Sequence, residues 1–285
     1  MIVSHLRGGL GNQFFQYAMG RALAIRRKTE LVVDVEWFFE THPGMEIRTF
    51  ELARYGLNVR QLLASERKWI QRCTTGDRKP FSFVHRWMYF KEPDHQYYPS
   101  AVDLHGNVYL EGYWQYPDYF ADCEELIRAE LTPRGEVSKV DPAIAKGIED
   151  TNSISIHVRR GDYLTSGRFI GALPIDYYTN AIAWMVKRIE NPYFFIFSDD
   201  PDWARANILV DGHVEYMVHD GVGSTFRDLH LMALCRHHII ANSSFSWWAA
   251  WLSSNRSPLV VAPQRWFAEL PPANHPRLPA NWVAL

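Results

Sequence analysis

Two adjacent arginines follow a stretch of alternating apolar and polar residues in the middle of the chain. In Ser153 to Tyr163, SISIHVRRGDY, the alternation is the period-2 pattern of a β-strand, and Arg159 and Arg160 come where that strand stops. Ligands of open α/β sheets bind at the carboxyl ends of strands, where a guanidinium fork suits phosphate. The motif therefore predicts a site for a phosphorylated ligand.

The residues around the two arginines also allow a structural reading, in which Arg160 pairs with Asp162 and His157 packs in the core. Two structural arginines at one strand end are harder to justify, because the neighbouring sequence offers few partners. A diphosphate leaving group gains negative charge as its bond to carbon breaks. We expect Arg159 to stabilise that charge through bidentate hydrogen bonds and Arg160 to play a supporting role.

A second group of acidic residues follows the next strand, in FSDDPD at Phe197 to Asp202. Asp200 and Asp202 match the DxD pattern that holds Mn²⁺ or Mg²⁺ in many nucleotide-sugar enzymes. Asp200 before Pro201 is also an ordinary helix N-cap followed by proline at the first helical position, which is the interpretation we favour. Asp199 is then free to accept hydrogen bonds from a guanine edge or a ribose hydroxyl.

A third strand-to-helix junction carries NSSFSWW, from Asn242 to Trp248. Serines at such a junction are most often caps, and we expect Ser244 or Ser246 to cap the helix. Hydroxyl groups and free helix amides also make a cradle for phosphate. The tryptophans nearby are predicted to pack in the core: Trp247, Trp248 and Trp251.

A glycine-rich turn, GGLGNQ at Gly8 to Gln13, lies between a predicted strand and helix. It lets backbone approach a ligand at a helix N-terminus. Asp34 at the end of the next strand stands near the position of a ribose-binding acid, as in dinucleotide-binding proteins, but Phe14 replaces the third glycine of GxGxxG. A plain tight turn and a ligand-facing loop are the other interpretations, and we favour the loop.

Strands alternate with helices along the chain, which predicts α/β domains with doubly wound parallel sheets. The turn-rich stretch around Pro133 to Pro142 suggests a boundary between domains 1–138 and 139–285. In the first half we predict strands at Met1 to Leu6, Leu31 to Val35 and Val108 to Tyr113, and helices at Gln13 to Lys28, Ser65 to Arg72, Phe81 to Phe90 and Tyr116 to Glu130. The second half is more regular, with five predicted strands beginning at Ser153, Tyr193, Val214, His238 and Leu259.

The composition limits the possible partners. The 285 residues carry a formal net charge of −2, so no overall positive field would hold nucleic acid. The three scattered cysteines indicate a reducing compartment, and the sequence shows neither a signal peptide nor an apolar run long enough to span a bilayer. We expect a cytoplasmic protein whose membrane contact is at most peripheral, at the inner face.

Taken together, the segments GGLGNQFFQYA, HVRRGDY, FSDDPDW and DLHLMALCRHHIIANSSFSWWAAWL resemble the α-1,2-fucosyltransferase family, glycosyltransferase family 11, and its bacterial members in particular. The resemblance covers nearly the whole chain in order. It implies a GT-B fold with two facing Rossmann-like domains, GDP-fucose as donor, inversion at the anomeric carbon and no metal or other cofactor. It also implies a galactose-terminated acceptor, commonly part of a lipopolysaccharide or O-antigen repeat.

HVRR is also similar, more distantly, to the motif of α-1,6- and protein O-fucosyltransferases, whose first arginine contacts the β-phosphate of the donor. Carried over, that arginine is Arg159, and the acid that reads guanine there resembles Asp199 or Asp200. Those relatives place a carboxylate shortly after the motif, but Leu164 to Leu173 contains no acid. The general base is therefore left open between Asp162, His5 and a water-assisted path.

The resulting hypothesis is transfer of L-fucose from GDP-β-L-fucose to a galactose-terminated glycan, with domain 1–138 holding the acceptor and domain 139–285 the donor. The catalytic candidates are Arg159, Asp162 and His157. The donor-binding candidates are Gly9, Gly11, Asn12, Gln13, Arg159, Arg160, Asp199, Asp200, Asn242, Ser243, Ser244 and Phe245. Two alternatives remain: an NAD-dependent oxidoreductase using the glycine-rich turn, and a non-catalytic sugar-binding protein, which the 11 tryptophans would suit.

Overall fold

The computed structural model describes residues 1–42, 47–74, 87–94, 96–133, 140–165, 171–217, 224–267 and 278–285. The chain forms two compact units, Met1–Leu131 and Thr132–Leu285. The predicted boundary between residues 138 and 139 lies outside the described residues. Each unit is built on a parallel sheet.

The first unit has a sheet in the order β3-β2-β1-β5-β4, in which every pair of neighbours is parallel. Its strands are β1 Ile2–His5, β2 Leu31–Asp34, β3 Arg60–Gln61, β4 Trp87–Lys91 and β5 Asn107–Glu111. Its α-helices are α1 Leu10–Arg26, α2 Ala64–Thr74 and α3 Glu124–Leu131. Short 3-10 helices at Glu36–Phe39, Glu51–Tyr55, Pro99–Asp103, Pro117–Tyr119 and Ala121–Cys123 lie in the connections.

Two predicted helices of the first unit are wrong in whole or in part. The predicted helix Phe81 to Phe90 lies partly outside the described residues, and its remainder belongs to β4, an edge strand with one largely exposed face. The predicted helix Tyr116 to Glu130 becomes α-helical only at Glu124, because Phe120, with φ −134°, interrupts the helical backbone. Edge strands and broken helices have weak periodicity, so pattern alone does not identify them.

The second unit has the sheet order β11-β10-β9-β6-β7-β8, again all parallel. Its strands are β6 Asn152–Val158, β7 Pro192–Ser198, β8 His213–Met217, β9 His237–Ile239, β10 Val260–Ala262 and β11 Val283–Ala284. Its helices are α4 Pro142–Glu149, α5 Gly161–Thr165, α6 Ile175–Val186, α7 Pro201–Asn207, α8 Ser224–Leu234 and α9 Ser244–Trp251. Read from β8, the strands run 3-2-1-4-5-6, the order of a dinucleotide-binding Rossmann sheet.

Both faces of β6 are buried, as expected for a central strand of a parallel sheet. Ile154, Ile156 and Val158 pack into an apolar cluster with α6, while the opposite face carries buried Ser155 and His157. The strand therefore brings polar side chains through the interior towards its carboxyl end. The three predicted core tryptophans are indeed buried: Trp247, Trp248 and Trp251.

Candidate active site

Three strand ends meet at one edge of the second sheet. Val158 at the end of β6 is in register with Ser198 at the end of β7, and Ile156 is in register with Ile239 at the end of β9. The residues that follow these strands are therefore neighbours, as the sequence predicts. From β6 the chain adds β7 and β8 on one side of the sheet and then returns to add β9, β10 and β11 on the other side. Ligands of doubly wound sheets bind at such a switch point, here between β6 and β9.

Two carboxylates hold the Arg159 guanidinium. Its Nη2 lies 2.7 Å from Asp162 Oδ1 and its Nη1 lies 3.1 Å from Asp199 Oδ2. The alternative in which Arg160 pairs with Asp162 is wrong, because Asp162 contacts Arg159 and Arg160 contacts Asp200. About a fifth of the Arg159 side chain is exposed, so its position is fixed while part of it stays accessible.

Asp199 binds the start of α5 as well as Arg159. Its two oxygens accept hydrogen bonds from the backbone amides of Arg160 at 2.8 Å and Gly161 at 3.0 Å. A Cβ at Gly161 would lie 2.8 Å from the Asp199 carboxylate, so only glycine fits without a shift. Asp199 is therefore engaged within the chain, which differs from the free carboxylate expected from the sequence.

Asp200 is the N-cap of α7, and this confirms the interpretation favoured over a metal-binding DxD motif. Its side chain accepts a hydrogen bond from the amide of Trp203 at 3.2 Å, and Pro201 occupies the first helical position. Asp200 Oδ2 also accepts from Arg160 Nε at 3.2 Å, and the Arg160 guanidinium lies 3.7 Å from the Trp203 ring centroid. Arg160 is thus attached to α7, consistent with a supporting role.

The N-terminus of α9 lies across the switch point from Arg159. Ser243 is the cap, with an extended backbone, and its Oγ accepts a hydrogen bond from the amide of Phe245 at 3.3 Å. The prediction of Ser244 or Ser246 as cap is therefore wrong. Ser244 is the first helical residue, while Ser246 Oγ accepts from the amide of Ala241 at 3.2 Å.

Asn242 connects this helix start to nearby loops. Its Nδ2 donates to the carbonyl oxygens of Gly171 at 3.0 Å and Trp266 at 3.2 Å, and its own carbonyl accepts from Tyr163 Oη at 3.3 Å. Within the described ranges, Asn242 Oδ1 is a buried acceptor with no hydrogen-bond partner. A buried acceptor without a partner calls for an explanation in a native protein.

His157 is 5% exposed, and its ring lies 5.7 Å from that of Phe245. Burial, and secondarily the charge of Arg159, lowers the pKa of His157 to about 3, so the imidazole is neutral near pH 7. A base with so low a pKa captures a proton poorly at neutral pH. Burial therefore favours a packing role for His157 over proton transfer.

The glycine-rich turn of the first unit has a different construction. Helix α1 begins at Leu10, so that Gly11, Asn12 and Gln13 all belong to its first turn. Gly8 has φ +76°, a conformation that favours glycine. Gly9 occupies the N-cap position and has no side chain that could accept a hydrogen bond from the helix amides. The turn is thus shorter than the sequence predicts.

Gln13 is fully buried and holds the loops around α1 together. Its Nε2 donates to the carbonyls of Gly8 and Thr49, each at 2.9 Å, and its Oε1 accepts from the amides of Glu51 and Leu52, each at 3.0 Å. These four bonds use the hydrogen-bonding capacity of the amide group. The geometry therefore gives Gln13 a structural role, in contrast to its expected role in donor binding.

Asp34 is 1% exposed and does not resemble a ribose-binding acid. Arg67 Nη2 lies 2.6 Å from its Oδ1, and Tyr109 Oη donates to its Oδ2 at 2.8 Å. Burial raises the pKa of Asp34, but the hydrogen bonds from Arg67 and Tyr109 outweigh it and hold the pKa below its usual value. The residue central to the NAD interpretation is therefore committed to an internal ion pair.

The family model described as glycosyl transferase family 11 matches residues 59–284. The chain belongs to this family. It is a glycosyltransferase, and this finding replaces both the oxidoreductase and the non-catalytic interpretations of the sequence.

Two bacterial relatives of this glycosyl transferase family 11 chain match most or all of its length, and a primate relative matches about half of it. It is 29% identical to an α-1,2-colitosyltransferase of Escherichia coli, over 100% of this chain and 99% of that protein. It is 33% identical to the O-antigen biosynthesis glycosyltransferase WbnK of Escherichia coli, over 93% and 94%. A galactoside α-(1,2)-fucosyltransferase 1 of Saimiri sciureus is 30% identical over 47% of this chain and 40% of its own length.

Among solved structures, a mutant of Arabidopsis thaliana FUT1 in complex with GDP aligns with a TM-score of 0.50 and 12% identity. The alignment covers 91% of this chain and 69% of that one, and the likeness shows a shared fold. The predicted α/β fold of the GT-B type, with two Rossmann-like parallel sheets, is thereby confirmed. Among the described helices, none has the length and apolar character to cross a membrane.

Sequence reasoning missed Gly161 and Trp203 as parts of the arginine site. A glycine directly after two arginines at a strand end was the available signal for Gly161, because a turn that receives a carboxylate needs space. Trp203, three residues after the cap Asp200, lies in the first turn of α7, where its ring can reach a neighbouring strand end.

Proposed function

We propose that this enzyme transfers L-fucose from GDP-β-L-fucose to the 2-hydroxyl of a galactose-terminated glycan, forming an α-1,2 linkage with inversion. The observation that carries the proposal is the accessible Arg159 fork at the end of β6, across the switch point from the start of α9. Relatives named as α-1,2-colitosyl- and α-1,2-fucosyltransferases support the linkage.

Arg159 binds the diphosphate in this proposal. The acceptor hydroxyl oxygen attacks the anomeric carbon and its proton passes to the general base, for which Asp162, His5 and a water-assisted path are the candidates. The bond from that carbon to the phosphate oxygen breaks, and the electron pair of that bond stays on the diphosphate. A guanidinium held in place by Asp162 and Asp199 stabilises the growing charge without having to reorganise. Asp162 is then a positioning residue for Arg159 in addition to a candidate for the base.

The start of α9 provides the second half of the donor site. Helix α9 follows β9, which pairs with β6, and the first turn of a helix favours an anion at its start. The Ser244 hydroxyl and the unpartnered Asn242 Oδ1 extend the site, and Asn242 Oδ1 suits a ribose hydroxyl or a guanine N–H as donor. The choice between Asp199 and Asp200 as a reader of guanine stays a prediction.

The test is incubation of the purified enzyme with GDP-β-L-fucose and a panel of β-galactosides, with the product identified by NMR. A new α-anomeric fucose signal linked to galactose C2 supports the proposal. GDP release without a glycan product, or a product linked at another position, contradicts it. Arg159→Ala, which keeps the strand sequence, serves as the inactive control.

A second donor is favoured by the full-length similarity to an α-1,2-colitosyltransferase. Colitose is L-fucose without the 3-hydroxyl, so the same diphosphate site would accept either donor. Discrimination would require a group that hydrogen-bonds the 3-hydroxyl, because a missing hydroxyl is rejected strongly only where a buried polar partner is left unpaired. Direct competition between GDP-fucose and GDP-colitose in one reaction gives the ratio of the two specificity constants.

Transfer in this proposal needs no metal ion. In the part of the chain that the structure describes, no group of three or more His, Cys, Asp or Glu side chains could hold one. Arg159 and the α9 amides would supply the positive charge instead. Full activity in excess EDTA is expected, whereas strict dependence on added Mn²⁺ would return Asp200 and Asp202 to consideration as ligands.

The remaining assignments concern the acceptor and the location. We propose that the first unit, up to about residue 138, binds the acceptor glycan and that the second binds the donor. An O-antigen or lipopolysaccharide repeat is the proposed acceptor, in line with the name of the WbnK relative. The enzyme would then work in the cytoplasm, at most peripherally attached to the inner face of the membrane, which cell fractionation tests.

A further inference from the structure

The first unit has its own switch point, between β1 and β5. From β1 the chain places β2 and β3 on one side of the sheet, while β5 and β4 lie on the other. Ser4 is in register with Leu110, so His5 and Glu111 are the next residues on two neighbouring strands, at their carboxyl ends. A crevice outside these two ends is where a sheet of this kind binds a ligand.

Glu111 supplies a charged acceptor at this crevice. It accepts a hydrogen bond from Tyr89 Oη, and Lys91 Nζ lies 3.3 Å from its Oε1. Burial raises the pKa of Glu111, but the contacts with Tyr89 and Lys91 outweigh it and hold the pKa below its usual value. The carboxylate is therefore ionised near neutral pH. Its side chain is 17% exposed, so part of it remains accessible.

Two buried polar atoms at the same place have no hydrogen-bond partner among the described residues: His5 Nδ1 and Arg7 Nε. Leaving a buried donor or acceptor unpaired costs free energy, and each such atom in a native protein calls for an explanation. Burial lowers the pKa of His5, so the ring is neutral near pH 7. A neutral imidazole can both donate and accept, which suits a hydroxyl group.

The charges around His5 favour an uncharged ligand. The groups that influence it are Asp34, Arg7, Glu111 and Glu40, so both signs are present. Arg67 already neutralises Asp34, and a phosphate at this crevice would meet the Glu111 carboxylate. A neutral polyhydroxylated molecule encounters no such repulsion.

An aromatic ring completes the crevice. The Arg7 guanidinium lies 4.5 Å from the centroid of the Tyr113 ring, two residues beyond the end of β5. Its Nη1 is 3.9 Å from Glu111 Oε1, too long for a hydrogen bond, so Arg7 keeps donor capacity near the carboxylate. Donors, an ionised acceptor and an aromatic face together match the hydroxyls and the apolar C–H face of a pyranose ring.

We propose that His5, Arg7, Glu111 and Tyr113 form a binding subsite for a neutral pyranose of the acceptor glycan. This inference rests on the proposed function, which assigns the acceptor to the first unit, and it adds the residues that hold the sugar. Glu111 accepts hydrogen bonds from two sugar hydroxyls, Arg7 donates to a neighbouring hydroxyl, and the neutral His5 imidazole donates to a hydroxyl or accepts from it. The transferred sugar and its diphosphate are not needed for this binding.

The test is saturation-transfer NMR on the full-length chain with methyl β-D-galactopyranoside and no donor. The wild type should give a saturation signal, and His5→Phe and Glu111→Gln should each weaken galactoside binding about tenfold, since a hydrogen bond to a charged or buried group is lost. Asp118→Asn, which removes an exposed carboxylate in the same unit, is the matched control and should bind like the wild type. Absence of a wild-type signal, or unchanged binding in both variants, overturns the subsite.

Folding and function are separated by two further measurements. The thermal unfolding temperature and the GDP affinity of each variant should match those of the wild type. If a variant unfolds, Arg7→Gln replaces it, because the Arg7 side chain is partly exposed. The galactoside affinity of Arg7→Gln must then fall as well. In the transfer reaction the acceptor KM should rise about tenfold while the donor KM is unchanged. If the wild type binds galactoside but transfers no sugar, the proposed function is contradicted and the subsite is supported. If His5→Phe and Glu111→Gln are active with an unchanged acceptor KM, only the subsite is overturned.

Discussion

The two units present different chemistry at the same topological position. At the carboxyl edge of the second sheet, Arg159 and Arg160 lie beside the start of a helix, and carboxylates fix both guanidinium groups. At the corresponding edge of the first sheet, Arg7 and Lys91 share Glu111, and His5 is neutral. We therefore propose that similar sheets support an anion site in one unit and a site for uncharged polar groups in the other.

The starts of the helices next to the two edges also differ in how their polar groups are hydrogen-bonded. Helix α9 is capped by Ser243, and the Asn242 side chain before it carries a buried acceptor with no partner among the described residues. Around the start of α1, by contrast, Gln13 makes four hydrogen bonds to backbone and Asn12 Oδ1 accepts from Gln115 at 2.9 Å. A strand-glycine-helix sequence therefore does not by itself identify a phosphate site, because neighbouring side chains decide whether polar groups remain for a ligand.

The largest effect should come from Arg159. Arg159→Lys should lower kcat by about 10²–10³, because an ammonium cannot reproduce the fork that stabilises charge on the diphosphate. Arg160→Lys is the matched control and should lose about tenfold or less, since Arg160 is attached to Asp200 and Trp203. Single-turnover kinetics on both variants measures the difference, and equal losses would contradict the division of roles.

Gln13→Ala should instead act on stability. It leaves four backbone groups without their partner in a buried site, which we expect to reduce the free energy of unfolding by about 3 kcal/mol. Gln115→Ala removes one partly buried side-chain contact and should cost about 1 kcal/mol or less. Urea denaturation measures both. A stable Gln13→Ala protein with weakened GDP binding would restore Gln13 to the donor site.

Asp199→Asn should weaken catalysis while the sheet stays intact. The substitution removes the charge that attracts Arg159. It also replaces one of the two accepting oxygens by an amide nitrogen, which cannot accept a hydrogen bond, so one of the two backbone amides loses its partner. We expect a loss of about 10- to 100-fold in kcat/KM, the cost of charge-assisted hydrogen bonds. Asp202→Asn, at an exposed position in the first turn of α7, should be close to the wild type. A wild-type rate for Asp199→Asn would show that Arg159 needs no such support.

The smallest effect concerns the pH dependence of stability. His157 and His238 are buried, and burial is the main cause that lowers the pKa of each to about 3 from 6.5. Between these pKa values the unfolded chain therefore binds more protons than the folded chain. The free energy of unfolding carries the full contribution of the two histidines above pH 6.5 and decreases as the pH falls, by about 1 kcal/mol per pH unit per histidine.

Urea denaturation of the wild type and of His238→Gln between pH 7.5 and 5 tests this slope, with exposed His213→Gln as control. The His238 variant should lose stability less steeply than the wild type, and the His213 variant should follow the wild type. A slope that is unchanged in His238→Gln would contradict the assignment.

Much of the second unit could be predicted from sequence, because buried parallel strands and amphipathic helices have clear periodicity. Asp-Pro pairs illustrate the limit. Asp200-Pro201 was interpreted correctly as a cap, but the same signature at Asp141-Pro142 was interpreted as a turn, and it starts α4. The two sites differ only in what precedes them, a strong strand in one case and a polar stretch in the other.

The contacts within the site could not be predicted in the same way. Arg159 and Asp199 meet because β6 and β7 align Val158 with Ser198, and that register is a tertiary property. The cap at Ser243 depends on where the backbone leaves the extended region, which neighbouring serines do not reveal. The sequence therefore identified the correct strand ends, whereas the assignment of partners needed the fold.

The central claim is that Arg159 binds the β-phosphate of the donor nucleotide, and calorimetric titration of GDP and GMP tests it most directly. The wild type should bind GDP at least about tenfold more tightly than GMP, and Arg159→Lys should lose most of this difference while keeping its affinity for GMP. If the difference between GDP and GMP persists in Arg159→Lys, the account of this site is wrong.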